Sequence, residues 1–101
     1  MAAQGQIGDL AETFKLLSDP TRLRMLTILV EGGEMCVHEL CARVGMSQPA
    51  VSHQLRTMRH AHLVRSRRAG REIFYTLDDE HVVALLSEGL KHASHSRPGG
   101  R

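Results

Sequence analysis

At 101 residues and 11.2 kDa, with 42% hydrophobic residues, the chain has room for one domain and one modest core. A formal net charge of +2 argues only weakly for a polyanionic partner, and 3% aromatic residues without tryptophan argue against a binder that stacks single-stranded bases. No run of ~18 to 20 apolar residues could span a membrane, and Met1 to Gln6 lacks the basic and apolar regions of a signal peptide, so a cytoplasmic protein without a membrane partner is expected.

Ile7, Leu10, Ala11, Phe14, Leu16 and Leu17 recur at helical spacing and predict a first helix over residues 7–18, interrupted by Ser18-Asp19-Pro20. Asp19 is placed to cap a second helix with Pro20 in its first turn; Leu23, Leu26, Ile28, Leu29 and Val30 make its inward stripe, and Gly32-Gly33 end it. A short third helix runs from about Cys36 to Val44, with Val37, Leu40, Cys41 and Val44 inward, and Gly45 stops it. The fourth starts with Ser47 as cap and Pro49 in its first turn and reaches about His60, with only Val51, Leu55 and Met58 apolar along its inward line. The pattern then changes to alternation: residues 63–67 and 73–77 predict a hairpin whose turn, Arg68-Ala69-Gly70-Arg71, is basic. Asp78-Asp79 opens a last helix through about His95, and residues 97–101 are expected to form a disordered tail beyond one domain of residues 1–96. The expected fold is mainly α with a small β-hairpin, a winged helix-turn-helix of about five helices and a two-stranded wing.

A short helix, a glycine turn, a helix with a polar outer face and an immediate hairpin with arginines at its tip suit duplex DNA. Ser47, Gln48, Ser52, His53, Gln54 and Arg56 carry short, amide or basic side chains suited to base edges and phosphates, and Arg67, Arg68 and Arg71 of the wing suit phosphates or the minor groove. An enzyme has little support: no phosphate loop occurs, no nucleophile stands beside a base with an orienting acid, and Ser52 and His53, adjacent on a helix, do not face each other.

Residues from about Leu10 to His95 resemble the ArsR/SmtB metal-sensing repressors. Leu17-Ser18-Asp19-Pro20-Thr21-Arg22-Leu23-Arg24 is similar to that family's signature at the start of its second helix. Ser47-Gln48-Pro49-Ala50-Val51-Ser52-His53-Gln54-Leu55 is similar to its recognition helix, and Gly70-Arg71 with Tyr75-Thr76-Leu77 to its wing. The resemblance implies a homodimer in which first and last helices pair, which binds an imperfect palindrome of operator DNA and is released by metal.

The last helix can be read geometrically. His81 and His92 are eleven residues apart, which on a helix puts them on nearly one face but about 16 Å apart, too far to share an ion. His92 and His95, three apart, can share one, and Asp79 can turn beside His81 in the same way. Two copies of the helix antiparallel across a two-fold axis bring Asp79 and His81 of one chain against His92 and His95 of the other, giving two equivalent sites. Leu85 and Gly89 lie between the two pairs, and Leu86 and Leu90 are expected to turn toward the chain's own core. Three imidazoles and a carboxylate in tetrahedral geometry suit Zn(II) or Co(II), with Ni(II) also accommodated when further ligands join. The family's zinc and cobalt sensors carry a similar arrangement. By that resemblance the metal acts as inducer, and a hydrogen bond from the outer nitrogen of His92 to a backbone carbonyl near His62 carries the signal.

A second candidate site is Cys36-Val37-His38-Glu39-Leu40-Cys41, which resembles the third-helix site of the family's arsenic and cadmium sensors with His38 in place of the central cysteine. Cys36, His38 and Cys41 suit Zn(II), Cd(II) or Cu(I) better than arsenite, which wants three sulfurs. The alternative function is a regulator of the same fold that answers to thiol oxidation or a partner protein through Cys36 and Cys41, with no metal response.

Overall fold

The structure, a computed structural model, describes residues 1–95; the expected tail over 97–101 lies outside the described residues. The elements are α1 (Gln4–Leu17), α2 (Pro20–Gly32), β1 (Met35–Cys36), α3 (Val37–Val44), α4 (Gln48–His60), β2 (Val64–Ala69), β3 (Glu72–Leu77) and α5 (Glu80–His95). This is the expected winged helix-turn-helix, and its boundaries follow from local chemistry. Asp19 Oδ2 accepts the Arg22 N–H at 3.0 Å, with Pro20 at the first helical position of α2. Ser47 Oγ accepts the Ala50 N–H at 3.3 Å and starts α4. Gly45, left-handed at φ 74°, ends α3 and donates to the Cys41 carbonyl at 2.8 Å, which is the tight turn that sets α4 against α3.

The wing differs from the expected two strands. β1 adds to it, giving the order β1-β3-β2, all antiparallel, with Met35 opposite Tyr75 and Cys36 opposite Phe74. Two residues are too short for an alternating pattern to be visible, and their pairing is set by a strand far along the chain. The hairpin itself is tighter than expected: Ala69 pairs with Glu72, leaving Gly70-Arg71 as the turn, with glycine at φ 66° in the first central position that a type II′ turn requires. The third helix begins one residue late, because Cys36 is extended (φ −82°, ψ 168°) and serves β1 while capping α3. The last begins at Glu80, with Asp79 Oδ1 accepting the Val82 N–H at 3.0 Å as its cap. The first begins three residues earlier than its apolar stripe suggested, at Gln4.

Val51, Leu55 and Met58 of α4 are fully buried against Met25, Leu26 and Leu40, which are themselves fully buried. Each such side chain contributes about 1.5 to 3 kcal/mol, and together they fix the rotation of α4, hence which residues it shows to solvent. Arg22 adds a polar tie, donating from Nε to Gln54 Oε1 at 3.0 Å and from Nη1 to the Leu16 carbonyl at 3.3 Å. Arg24 Nη2 donates to the Val44 carbonyl at 2.8 Å, satisfying the C-terminal end of α3.

Two apolar residues expected inside are outside. Leu23 is 37% and Leu90 43% exposed, because they face a groove of about 460 Å³ between α1, α2 and α5, lined also by Phe14, Leu85 and Gly89. Ile7, Leu10 and Phe14 of α1 are each half exposed or more, as 57%, 52% and 50% of their surfaces remain open. The apolar faces of α1 and α5 are therefore largely uncovered within one protomer.

Candidate nucleic-acid interface and metal centre

With its apolar line inward, α4 leaves Gln48, His53 and Arg56 exposed and Ser52 half-buried, and the exposed Ser47 stands at its N-terminus. The wing follows the end of α4, with Arg65 and Arg68 on β2 and Arg71 in the turn between β2 and β3, all exposed. Arg65 Nη1 donates to the Asp78 carbonyl at 3.0 Å and Arg68 Nη1 to the Gly70 carbonyl at 3.4 Å.

Two expected DNA contacts are held elsewhere. Gln54 is half-buried with its carbonyl oxygen on Arg22. Arg67 forms a two-point ion pair with Glu34, 2.6 Å from Nε and 2.7 Å from Nη2, and its guanidinium lies 5.2 Å from the centre of the Phe74 ring. Glu34 is accordingly held below the usual carboxylate range, by its hydrogen bond with Arg67 first and by the charges of Arg67 and Arg65, against the opposing effect of burial. Both partners come from elements distant in sequence, so neither contact is visible in a local pattern.

At the start of α5 the structure brings together the expected half-site: His81 Nδ1 lies 3.7 Å from Asp79 Oδ1, with His81 95% and Asp79 48% exposed. The Val82 N–H and, after it, the neighbouring His81 hold the Asp79 carboxyl below its ordinary value, outweighing burial. His92 is exposed further along the same helix, and His95 is its last residue, with a side chain outside the described atoms. Asp79, His81 and His92 do not form a three-donor group within a protomer.

Among the described residues the three-donor group is Cys36, His38 and Glu72, with ligand atoms all within 4.8 Å of one another. The expected set was Cys36, His38 and Cys41; Cys41 is not part of this group. Cys36 belongs to β1, opposite Phe74, so its thiol meets the Glu72 carboxylate of β3, while Cys41 packs half-buried against the core. The Glu39 backbone amide draws the Cys36 thiol down, but burial and Glu72 together push it above its ordinary value. Sequence spacing had no means of finding Glu72, Glu34 or the structural use of Arg22.

Residues 19–66 match the family model for bacterial regulatory proteins of the arsR family. A transcriptional repressor SmtB homolog from Synechocystis is 44% identical over 91 residues, covering 90% of this chain and 68% of that protein. The crystal structure of the AntR antimony-specific transcriptional repressor superposes with a TM-score of 0.83 at 35% identity, over 93% of this chain and 85% of that one. A homodimeric winged helix-turn-helix DNA-binding domain from Mycobacterium bovis, a possible ArsR-family regulator, gives 0.82 at 27% identity, over 93% and 91%.

Proposed function

The chain belongs to the ArsR family of bacterial regulatory proteins, DNA-binding transcriptional regulators rather than enzymes, and we propose that it is a metal-released repressor acting as a homodimer in the cytoplasm. Dimerisation through α1 and α5 is supported by their uncovered apolar faces, from Ile7, Leu10 and Phe14 to Leu85 and Leu90. It is supported also by the homodimeric state of the Mycobacterium bovis neighbour. A two-fold dimer presents two α4 helices to successive major grooves, ~34 Å apart, and so reads an imperfect palindrome in double-stranded operator DNA. Ser47, Gln48, Ser52, His53 and Arg56 meet bases and backbone from α4, and Arg68 and Arg71 meet phosphates from the wing. Gln54 and Arg67 join them only by giving up Arg22 and Glu34.

The observation that carries the metal reading is the Asp79–His81 pair, two exposed donors 3.7 Å apart at the entrance of a helix whose exposed His92 follows about three turns later. Asp79 and His81 of one protomer, with His92 and His95 of the partner subunit, make a donor set that fits Zn(II) first, and Co(II) or Ni(II) after it. A divalent ion there supplies a cross-link between the two α5 helices, and the dimer geometry so favoured spaces the α4 helices wrongly for DNA. His92, through its outer ring nitrogen and a carbonyl near His62, is the connecting residue between that cross-link and the end of α4.

Operator binding by fluorescence anisotropy, at fixed salt with and without Zn(II), Co(II) and Ni(II), tests the proposal. His92→Ala is expected to bind operator as the parent does and to lose release by metal; an unchanged metal response overturns the inter-subunit site.

A further inference from the structure

Val51, Leu55 and Met58 form one narrow apolar line, and apolar contact is non-directional: it fixes which side of α4 is inward and leaves the fine roll of the helix to other contacts. That roll matters to a reading helix. Side-chain ends lie about 5 to 6 Å from a helix axis, so a roll of ~15° carries them about 1.5 Å, half the length of a hydrogen bond.

Gln54 is the middle residue of α4 and stands on the flank of the apolar line, one turn after Val51 and beside Leu55. Its Oε1 accepts from Arg22 Nε at 3.0 Å, while Arg22 Nη1 donates to the Leu16 carbonyl, in the last turn of α1, at 3.3 Å. The Arg22 backbone N–H is held in turn by Asp19 Oδ2, the cap of α2. A guanidinium is a rigid planar fork, so the two acceptors it grips keep a fixed relation, here the end of α1 to the midpoint of α4. We propose that Arg22 and Gln54 are positioning residues for sequence reading: the pair sets the roll of α4 and so the aim of Ser52, His53 and Arg56, without itself touching DNA. This rests on the reading of α4 as the helix that enters the major groove.

The placement of Gln54 supports a positioning role over a base contact. At ~100° per residue it points about 160° away from both Ser52 and Arg56, on the far side of α4 from the proposed DNA face. Both members of the pair are half-buried, and each is already satisfied by the other. The other end of the tie lies in α1, whose exposed Ile7, Leu10 and Phe14 belong to the proposed dimer surface. The pair therefore relays the geometry of the dimer to the reading helix by a route separate from His62.

The test compares two duplexes of equal length at fixed salt: one that the parent chain selects from a randomised pool, and an unrelated one. Gln54→Leu and Arg22→Lys are each expected to lower the ratio of selected to unrelated affinity by roughly tenfold or more, with the unrelated duplex bound within about twofold of the parent. Gln54→Glu keeps the acceptor for Arg22 and is expected to keep the ratio. The double variant Arg22→Lys, Gln54→Leu is expected to lose no more than either single one, since both remove the same contact. Far-UV circular dichroism and Tm check that each variant is folded. An unchanged ratio, or an equal loss on both duplexes, overturns the proposal alone, the second pointing to a phosphate contact by Arg22. A greater loss with Gln54→Glu than with Gln54→Leu overturns it in favour of a direct base contact by Gln54. A parent chain that selects no sequence overturns the operator reading, and this proposal with it.

Discussion

Replacing Glu34 by Gln is expected to strengthen DNA binding and steepen its dependence on salt. Each Arg67 guanidinium is paired at two points with Glu34, so in the free protomer its charge is neutralised locally and its donors are directed toward β1 rather than outward. Glu34→Gln removes one negative charge and one strong acceptor, freeing an arginine whose side chain is 57% exposed. One added phosphate contact changes the slope of log K against log salt by about −0.9, hence about −1.8 for a dimer. Between 50 and 200 mM salt, that difference makes the variant lose affinity roughly 12-fold more than the parent, from a higher starting point. Anisotropy titrations of operator and of unrelated duplex at several salt concentrations measure the slope. Arg67→Ala, by the same reasoning, leaves the parent slope unchanged, whereas Arg68→Ala lowers it. Parallel slopes for Glu34→Gln and the parent, with a loss of slope in Arg67→Ala, would refute the reasoning, because the clamp would then already open on DNA.

Leu55→Ala, at a fully buried position, is expected to cost about 2 to 5 kcal/mol in urea unfolding and to abolish operator binding near the transition. His62 is the one non-glycine residue with positive φ, at 60°, among those described. Its N–H donates to Arg59 and that of Leu63 to Met58, a Schellman end normally built on glycine, so His62→Gly is expected to stabilise by about 1 kcal/mol and raise Tm; an unchanged or lower Tm counts against strain there. Asp79 has a carboxyl held below its ordinary value in the folded state, so its stabilising contribution is complete above that value and is lost as pH falls through the lowered one. Asp79→Asn is expected to flatten that part of the acid limb of Tm against pH, and coincident limbs for the two proteins contradict the cap assignment.

The helices were legible in the sequence because their signals are local. Asp19 with Pro20, Ser47 with Pro49, and Gly45 each act on backbone groups within four residues, and the Val51, Leu55, Met58 line needs only the helical period to be seen. The candidate DNA face follows directly from that line, since burying one side of α4 exposes the other. The Asp79–His81 contact was legible for the same reason: both residues lie within one turn. What only the tertiary structure decided are relations between distant segments. The two-residue β1 exists because β3 pairs with it, and through that pairing Glu72 rather than Cys41 stands with Cys36 and His38. Arg22 and Gln54, 32 residues apart, and Arg67 and Glu34, 33 apart, meet because packing brings α2 to α4 and the wing to β1. Spacing along a chain reports which residues share a helix turn or a strand face; which segments become neighbours depends on the packing of the whole core, and so do the partners of these charged groups.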